Sequence, residues 1–147
     1  MTPQFPLVLV TTDFSTRGNS AIPMAFRLAA SAGERVVLVH VLDDAIPSPL
    51  YAHYHPTPSP EERQKLEERA REELGRLVPA EWHSIPREIM LGYGSPAGEI
   101  CRLAKERTAS LIVISSHGRT GVKHFMVGSV AERVVHQAPC SVMVLRA

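Results

Sequence analysis

Residues 115–129, SSHGRTGVKHFMVGS, carry the densest chemistry in the chain. Gly118 and Gly121 permit positive φ and close backbone approach, so a turn there can aim several N–H groups at one point. Gly128 and Ser129 come directly before a helical pattern. A helix N-terminus leaves N–H groups unpaired and carries about half a positive charge, which suits a phosphate. The Ser129 hydroxyl adds a donor to the same oxygens. A ligand-free reading stands beside this one, because Ser129-Val130-Ala131-Glu132 has the form of a capping box. Arg119 is either a mobile phosphate partner or a solvated surface side chain. Asp13 closes the first apolar run. It can accept from a sugar hydroxyl, help organise a phosphate-bound Mg²⁺, or cap the loop into the first helix.

Other reactive side chains assemble less. His117 has no nucleophile, base and orienting group legible around it, so no catalytic residue is assigned. His53 and His55, with Tyr51 and Tyr54, form an incomplete ligand set in a proline-rich stretch, and no metal site is assigned. Cys101 and Cys140 make no CxxC pair and read as free, partly buried thiols suited to a reducing cytosol. Trp82 reads as a packing residue.

Strand and helix signals alternate from end to end. Leu7-Val8-Leu9-Val10 is a run without polar alternation, as expected of a strand covered on both faces. A helix follows to about Ala32, with Ser15 or Ser20 as its cap and Pro23 favouring a start near Ser20; Gly33 ends it. The next strand covers residues 36–42. Residues 43–59 contain Pro47, Pro49, Pro56 and Pro58 and no periodicity, which predicts a variable, exposed loop. Ser59-Pro60-Glu61-Glu62 then opens a charged helix to about Val78, its apolar stripe marked by Leu66, Ala70, Leu74 and Leu77. A third, less buried strand spans 87–91. Ser95-Pro96 caps a helix carrying Ile100, Leu103 and Ala104. The fourth strand is 111–114, a helix runs from about Ser129 to Gln137, and residues 141–145 form a fifth strand.

This βαβαβαβαβ order predicts one α/β domain over residues 1–147, a five-stranded parallel sheet with helices on both faces. The strand order expected is 3-2-1-4-5. Winding then reverses between the first and fourth strands, and ligands bind at such a switch point, outside the carboxyl ends. The loops meeting there are 11–15 and 115–129. With 147 residues and a net charge of +1, the chain has no field favouring nucleic acid or an anionic membrane. No apolar run reaches the ~20 residues of a membrane span, and the start lacks signal-peptide character. A cytoplasmic location is expected.

The sequence resembles the universal stress protein family along its whole length. The resemblance rests on Val10-Thr11-Thr12-Asp13-Phe14-Ser15, Val39-His40-Val41, Ser115-Ser116-His117-Gly118, Gly128-Ser129 and Ala138-Pro139-Cys140-Ser141-Val142. The family's ATP-binding branch carries G-x2-G-x9-G-[ST]. Gly118, nine residues, then Gly128-Ser129 match its second half, and Ser115 stands where the first glycine would be. The resemblance implies a Rossmann-like, adenine nucleotide alpha-hydrolase-like fold. It places Thr11 and Thr12 beside the adenosine, Asp13 on the ribose and the Val41 backbone on the adenine edge. Ile114, Ser115, His117 and Gly118 would line the ribose and phosphates, and Gly128, Ser129, Val130 and Ala131 would cradle the phosphate tail. ATP with Mg²⁺ or Mn²⁺ on its phosphates is the implied cofactor. A homodimer through the last strand is also implied, and an uncovered apolar edge at 141–145 agrees with it. The function so implied is an ATP-binding stress-response or signalling module. A slow ATP-hydrolysing enzyme and a nucleotide-free dimeric interaction protein are the alternatives.

Overall fold

The computed structural model of the chain describes residues 7–42, 58–117 and 127–146. Most of the proline-rich loop, with His53 and His55, and the loop residues Gly118, Arg119 and Gly121 lie outside them.

The five apolar runs become β1 (Leu7–Thr11), β2 (Arg35–Leu42), β3 (Arg87–Tyr93), β4 (Leu111–Ser115) and β5 (Ser141–Leu145). They form one parallel sheet in the order 3-2-1-4-5, as the alternating pattern predicts. β1 and β4 are buried at every residue, which is why LVLVT and LIVIS show no polar alternation. The edge strands β3 and β5 are only partly buried.

The helices are α1 (Thr16–Asn19), α2 (Ala21–Ala32), α3 (Pro60–Arg76), α4 (Pro96–Glu106) and α5 (Ser129–Gln137), with a 3-10 turn at Ala80–Trp82. α2 and α3 cover one face, where Ile22, Phe26 and Leu74 meet Val8, Val10 and Leu38. α4 and α5 cover the other, where Ile100, Leu103 and Val134 meet Leu9, Val37 and Ile112. Handedness explains this division. Right-handed crossovers place helices on one face while strands are added in one direction, and on the opposite face once the direction reverses after β3. The reversal opens the crevice between β1 and β4.

Local signals set the helix ends. Ser59 and Glu62 make a reciprocal capping box with Pro60 in the first turn. Gly33 closes α2 at φ 74°, a conformation that strains residues with a Cβ. Of the two candidate caps near the start, Ser15 accepts from Gly18 N–H, whereas Ser20 makes no side-chain cap. α3 ends at Arg76, short of Val78. Its expected apolar stripe is also narrower. Ala70 and Leu74 are buried and Leu77 half-buried, but Leu66 remains 47% exposed. Trp82 packs against the α2/α3 side of the core, as expected.

The contrast within α3 is testable. Leu74→Ala should cost about 2–5 kcal/mol of unfolding free energy, because it opens a cavity in a close-packed layer. Leu66→Ala should stay within about 0.5 kcal/mol. Urea unfolding of both variants, followed by circular dichroism, checks the pair, and equal costs would contradict the packing described.

Candidate functional site

The crevice is built where β1 stops. Thr11 and Thr12 are buried, at 7% and 4% exposure. Thr12 N–H donates to Val39 C=O at 3.1 Å, the last rung between β1 and β2. Beyond it the chain turns sharply away. Phe14 takes φ 67°, a left-handed conformation uncommon for a residue with a bulky side chain. The turn is held by side chains. Asp13 Oδ1 accepts from Ser15 N–H at 2.9 Å and from Ser15 Oγ–H at 2.5 Å. Thr12 Oγ1 donates to Asn19 Oδ1 at 2.6 Å and accepts from Phe14 N–H at 3.0 Å. Gly18 lies against this turn, and a Cβ on it would run into the Asp13 carboxylate. Asp13 thus caps the loop into the first helical turn, one of the roles its position allows.

The neighbouring wall is the carboxyl end of β2. Val39 C=O points toward β1, whereas Leu42 C=O accepts from Gly94 N–H beyond β3. Backbone groups alternate sides along a strand, so the N–H and C=O of Val41 point toward β1 as well. Opposite Val41, β1 has already ended. Among the described residues the Val41 backbone pair therefore has no strand partner on that side. A donor and an acceptor sit side by side at the mouth of the crevice.

β4 and the start of α5 form the opposing lip. Ile114, Ser115 and Ser116 are buried and His117 is half-buried. The Ser115 hydroxyl donates to His117 C=O at 2.9 Å, so the residue that replaces the motif glycine braces its own loop. Ser116 N–H donates to Leu145 C=O at 2.6 Å, and Ser116 C=O accepts from Gly128 N–H at 2.5 Å. Among the described residues, His117 Nδ1 is buried without a hydrogen-bond partner. An unsatisfied buried nitrogen is costly unless something outside the protein meets it.

The N-terminus of α5 corrects one expectation. Ser129 is not the N-cap of a capping box. Gly128 holds that position, in extended conformation, and no described side chain caps the helix. The first intrahelical bond runs from Glu132 N–H to Gly128 C=O at 2.9 Å. The N–H groups of Ser129, Val130 and Ala131 precede it and have no partner within the helix. Gly128 is required for closeness rather than for its dihedrals, since φ is −61°. A Cβ there would sit 2.8 Å from Ser116 C=O.

Among the described residues outside the crevice, chemistry is sparse. Burial raises the pKa of both half-buried thiols, and Cys140 also feels Cys101, so neither is poised as a nucleophile. Glu99 is held below the usual carboxylate range, first by its hydrogen bonds with Arg102 and then by Tyr93 N–H. Among the described residues no three His, Cys, Asp or Glu side chains gather into a metal site. No described helix is long and apolar enough to cross a membrane.

Thr11, Thr12, Asp13, Val41, Ile114, Ser115, His117, Gly128, Ser129, Val130 and Ala131 thus meet around the carboxyl ends of β1, β2 and β4, while Gly118 and Arg119 fall outside the described residues. Sequence reasoning did not single out Gly18 and Asn19, which hold the β1 turn, nor the structural part played by His40. Its Nδ1 lies 2.8 Å from Thr12 C=O. A polar residue in the middle of the apolar run RVVLVHVL was the available signal.

The profile of the universal stress protein family matches residues 5–146. A universal stress protein of Thermus aquaticus is 32% identical over 146 residues, covering 97% of this chain and 99% of that protein. Among solved structures, MJ0577 of Methanocaldococcus jannaschii superposes with a TM-score of 0.80 at 24% identity, covering 99% of this chain and 98% of the other. A universal stress protein of Archaeoglobus fulgidus, solved in complex with dAMP, matches with a TM-score of 0.58 at 22% identity and 98% coverage of both chains. The order 3-2-1-4-5, the crevice at its switch point and a match over nearly the whole chain agree: the protein belongs to the universal stress protein family.

Proposed function

We propose that this protein binds ATP in the crevice and acts as a nucleotide-dependent stress-response or signalling module in the cytoplasm. The observation that carries the reading is the N-terminus of α5, which no described side chain caps and which lies at the switch point of the sheet. Ser129, Val130 and Ala131 would offer three N–H groups to the terminal phosphates, with the Ser129 hydroxyl beside them. The Val41 backbone pair would receive the edge of the adenine, and Asp13 the ribose hydroxyls. His117 Nδ1, buried and unpartnered among the described residues, would be a further polar atom beside the phosphates. Gly118 and Arg119 complete the loop in this assignment. Mg²⁺ or Mn²⁺ would be carried on the phosphates. The dAMP complex of the Archaeoglobus relative supports an adenine nucleotide in this fold.

Dimerisation through β5 belongs to the same proposal. The outer edge of β3 is defended, since Arg71 donates to Ile89 C=O and Glu99 accepts from Tyr93 N–H. β5 is different. Leu145 C=O faces β4 through its bond with Ser116 N–H, so the N–H and C=O of Val142 and Val144 point outward. Val142, Met143, Val144 and Leu145 are all half-buried, an apolar edge that a second β5 would cover.

Small molecules released by denaturing the purified protein should include ATP or ADP by mass spectrometry, and calorimetry should show ATP binding to the emptied protein. Absence of both results would defeat the reading. Because Gly128 is needed by the fold itself, Ser129→Asp separates ligand from scaffold. Aspartate in the first turn should raise helix stability by about 0.3–1 kcal/mol. The same charge, placed where the phosphates belong, should weaken ATP binding at least about tenfold. ATP affinity that is unchanged in that variant would contradict the phosphate assignment. For the dimer, Val144→Pro removes an outward N–H without touching the bonds to β4. Light scattering should then report a monomer where the parent protein is a dimer.

A further inference from the structure

A regular parallel ladder would continue past Thr12. After Thr12 N–H to Val39 C=O, the next rungs would be Val41 N–H to Thr12 C=O and Phe14 N–H to Val41 C=O. Neither forms, and each Val41 partner instead meets a side chain. Thr12 C=O lies 2.8 Å from His40 Nδ1, and Phe14 N–H donates to Thr12 Oγ1 at 3.0 Å. A carbonyl only accepts, so Nδ1 carries the proton of that bond. The Thr12 hydroxyl proton goes to Asn19 Oδ1, which turns the oxygen's lone pairs toward Phe14 N–H. His40 is 8% exposed and stacks on the Phe14 ring, centroids 4.1 Å apart and planes tilted by 34°. Phe14 is thereby held at φ 67°, turned out of the ladder.

We propose that His40 and Thr12 are positioning residues that stop the β1–β2 ladder early and so keep the Val41 N–H and C=O open for a purine edge. The proposal deepens the ATP reading above and rests on it for the identity of the ligand. Its logic is an accounting of backbone groups. Buried N–H and C=O groups pair unless something prevents it, and Val41 would recapture Thr12 and Phe14 if their competing partners were removed. The open pair also selects. Adenine presents an acceptor, N1, beside a donor, its amino group. Guanine presents N1–H beside O6, the reverse order, so one donor–acceptor pair in fixed order suits only one of them.

The test uses His40→Leu, which removes the donor at similar bulk, and His40→Asn, whose amide nitrogen reaches the position of Nδ1. In nucleotide-free protein, the Val41 amide should exchange its hydrogen faster than that of Val39. His40→Leu should slow Val41 exchange at least about tenfold as the ladder closes. The ratio of ATP to GTP affinity, by calorimetry, should fall about tenfold with it. His40→Asn should restore both. A Val41 amide and an ATP/GTP ratio both unchanged in folded His40→Leu would overturn the proposal. If leucine at 40 unfolds the chain, His40→Gln replaces it, since the longer side chain carries its amide past Thr12. Should no form bind ATP, the exchange comparison still decides the role of His40, so the two readings fail separately.

Discussion

Winding the sheet outward from β1 in two directions is the constraint on which the rest depends. Right-handed crossovers put α2 and α3 on one face and α4 and α5 on the other, and the strands on either side of the reversal, β1 and β4, send their following loops apart. A gap at the carboxyl ends is unavoidable. The features proposed to hold the nucleotide lie on its lips: the turn after Thr12, the end of β2, and the approach of Gly128 to Ser116. The reversal also buries β1 and β4 at every residue, so the floor of the crevice is part of the core.

Backbone polar groups then define what the gap can hold. One lip offers the Val41 donor and acceptor, left open because β1 ends early. The other offers the first N–H groups of α5, left open because no described side chain caps them. These two features have different causes. The first comes from competing side chains, His40 and Thr12, and the second from a glycine cap held extended by its own bond to Ser116 C=O. Together they suit a long ligand with a hydrogen-bonding ring at one end and negative charge at the other. That shape fits a nucleotide better than a free phosphate.

Much of this was legible before any coordinates. Strands covered on both faces show as unbroken apolar runs, as β1 and β4 do, and the sheet followed from five strand-like runs separated by helical periods. Ser59 and Ser129 explain where pattern reading succeeds and where it slips. Both begin an S-x-x-E sequence. At Ser59 nothing competes, and the capping box forms. At Ser129 a long-range bond from Gly128 N–H to Ser116 C=O fixes the extended residue one position earlier, so serine enters the helix and its hydroxyl is not used as a cap. His40 and Thr12 lie 28 residues apart in sequence, and only folding brings them together. Leu66 erred the other way. The helical period was right, but a period does not report which of its apolar positions the fold covers.

The central claim is that one adenine nucleotide spans both lips of the crevice. Two-dimensional amide NMR during an ATP titration tests it most directly. The account predicts that the amides of Val41 and of Ser129, Val130 and Ala131 move together along a single saturating curve, while those of α3 stay in place. Saturable shifts confined to other surfaces, or no shifts at saturating ATP, would contradict it.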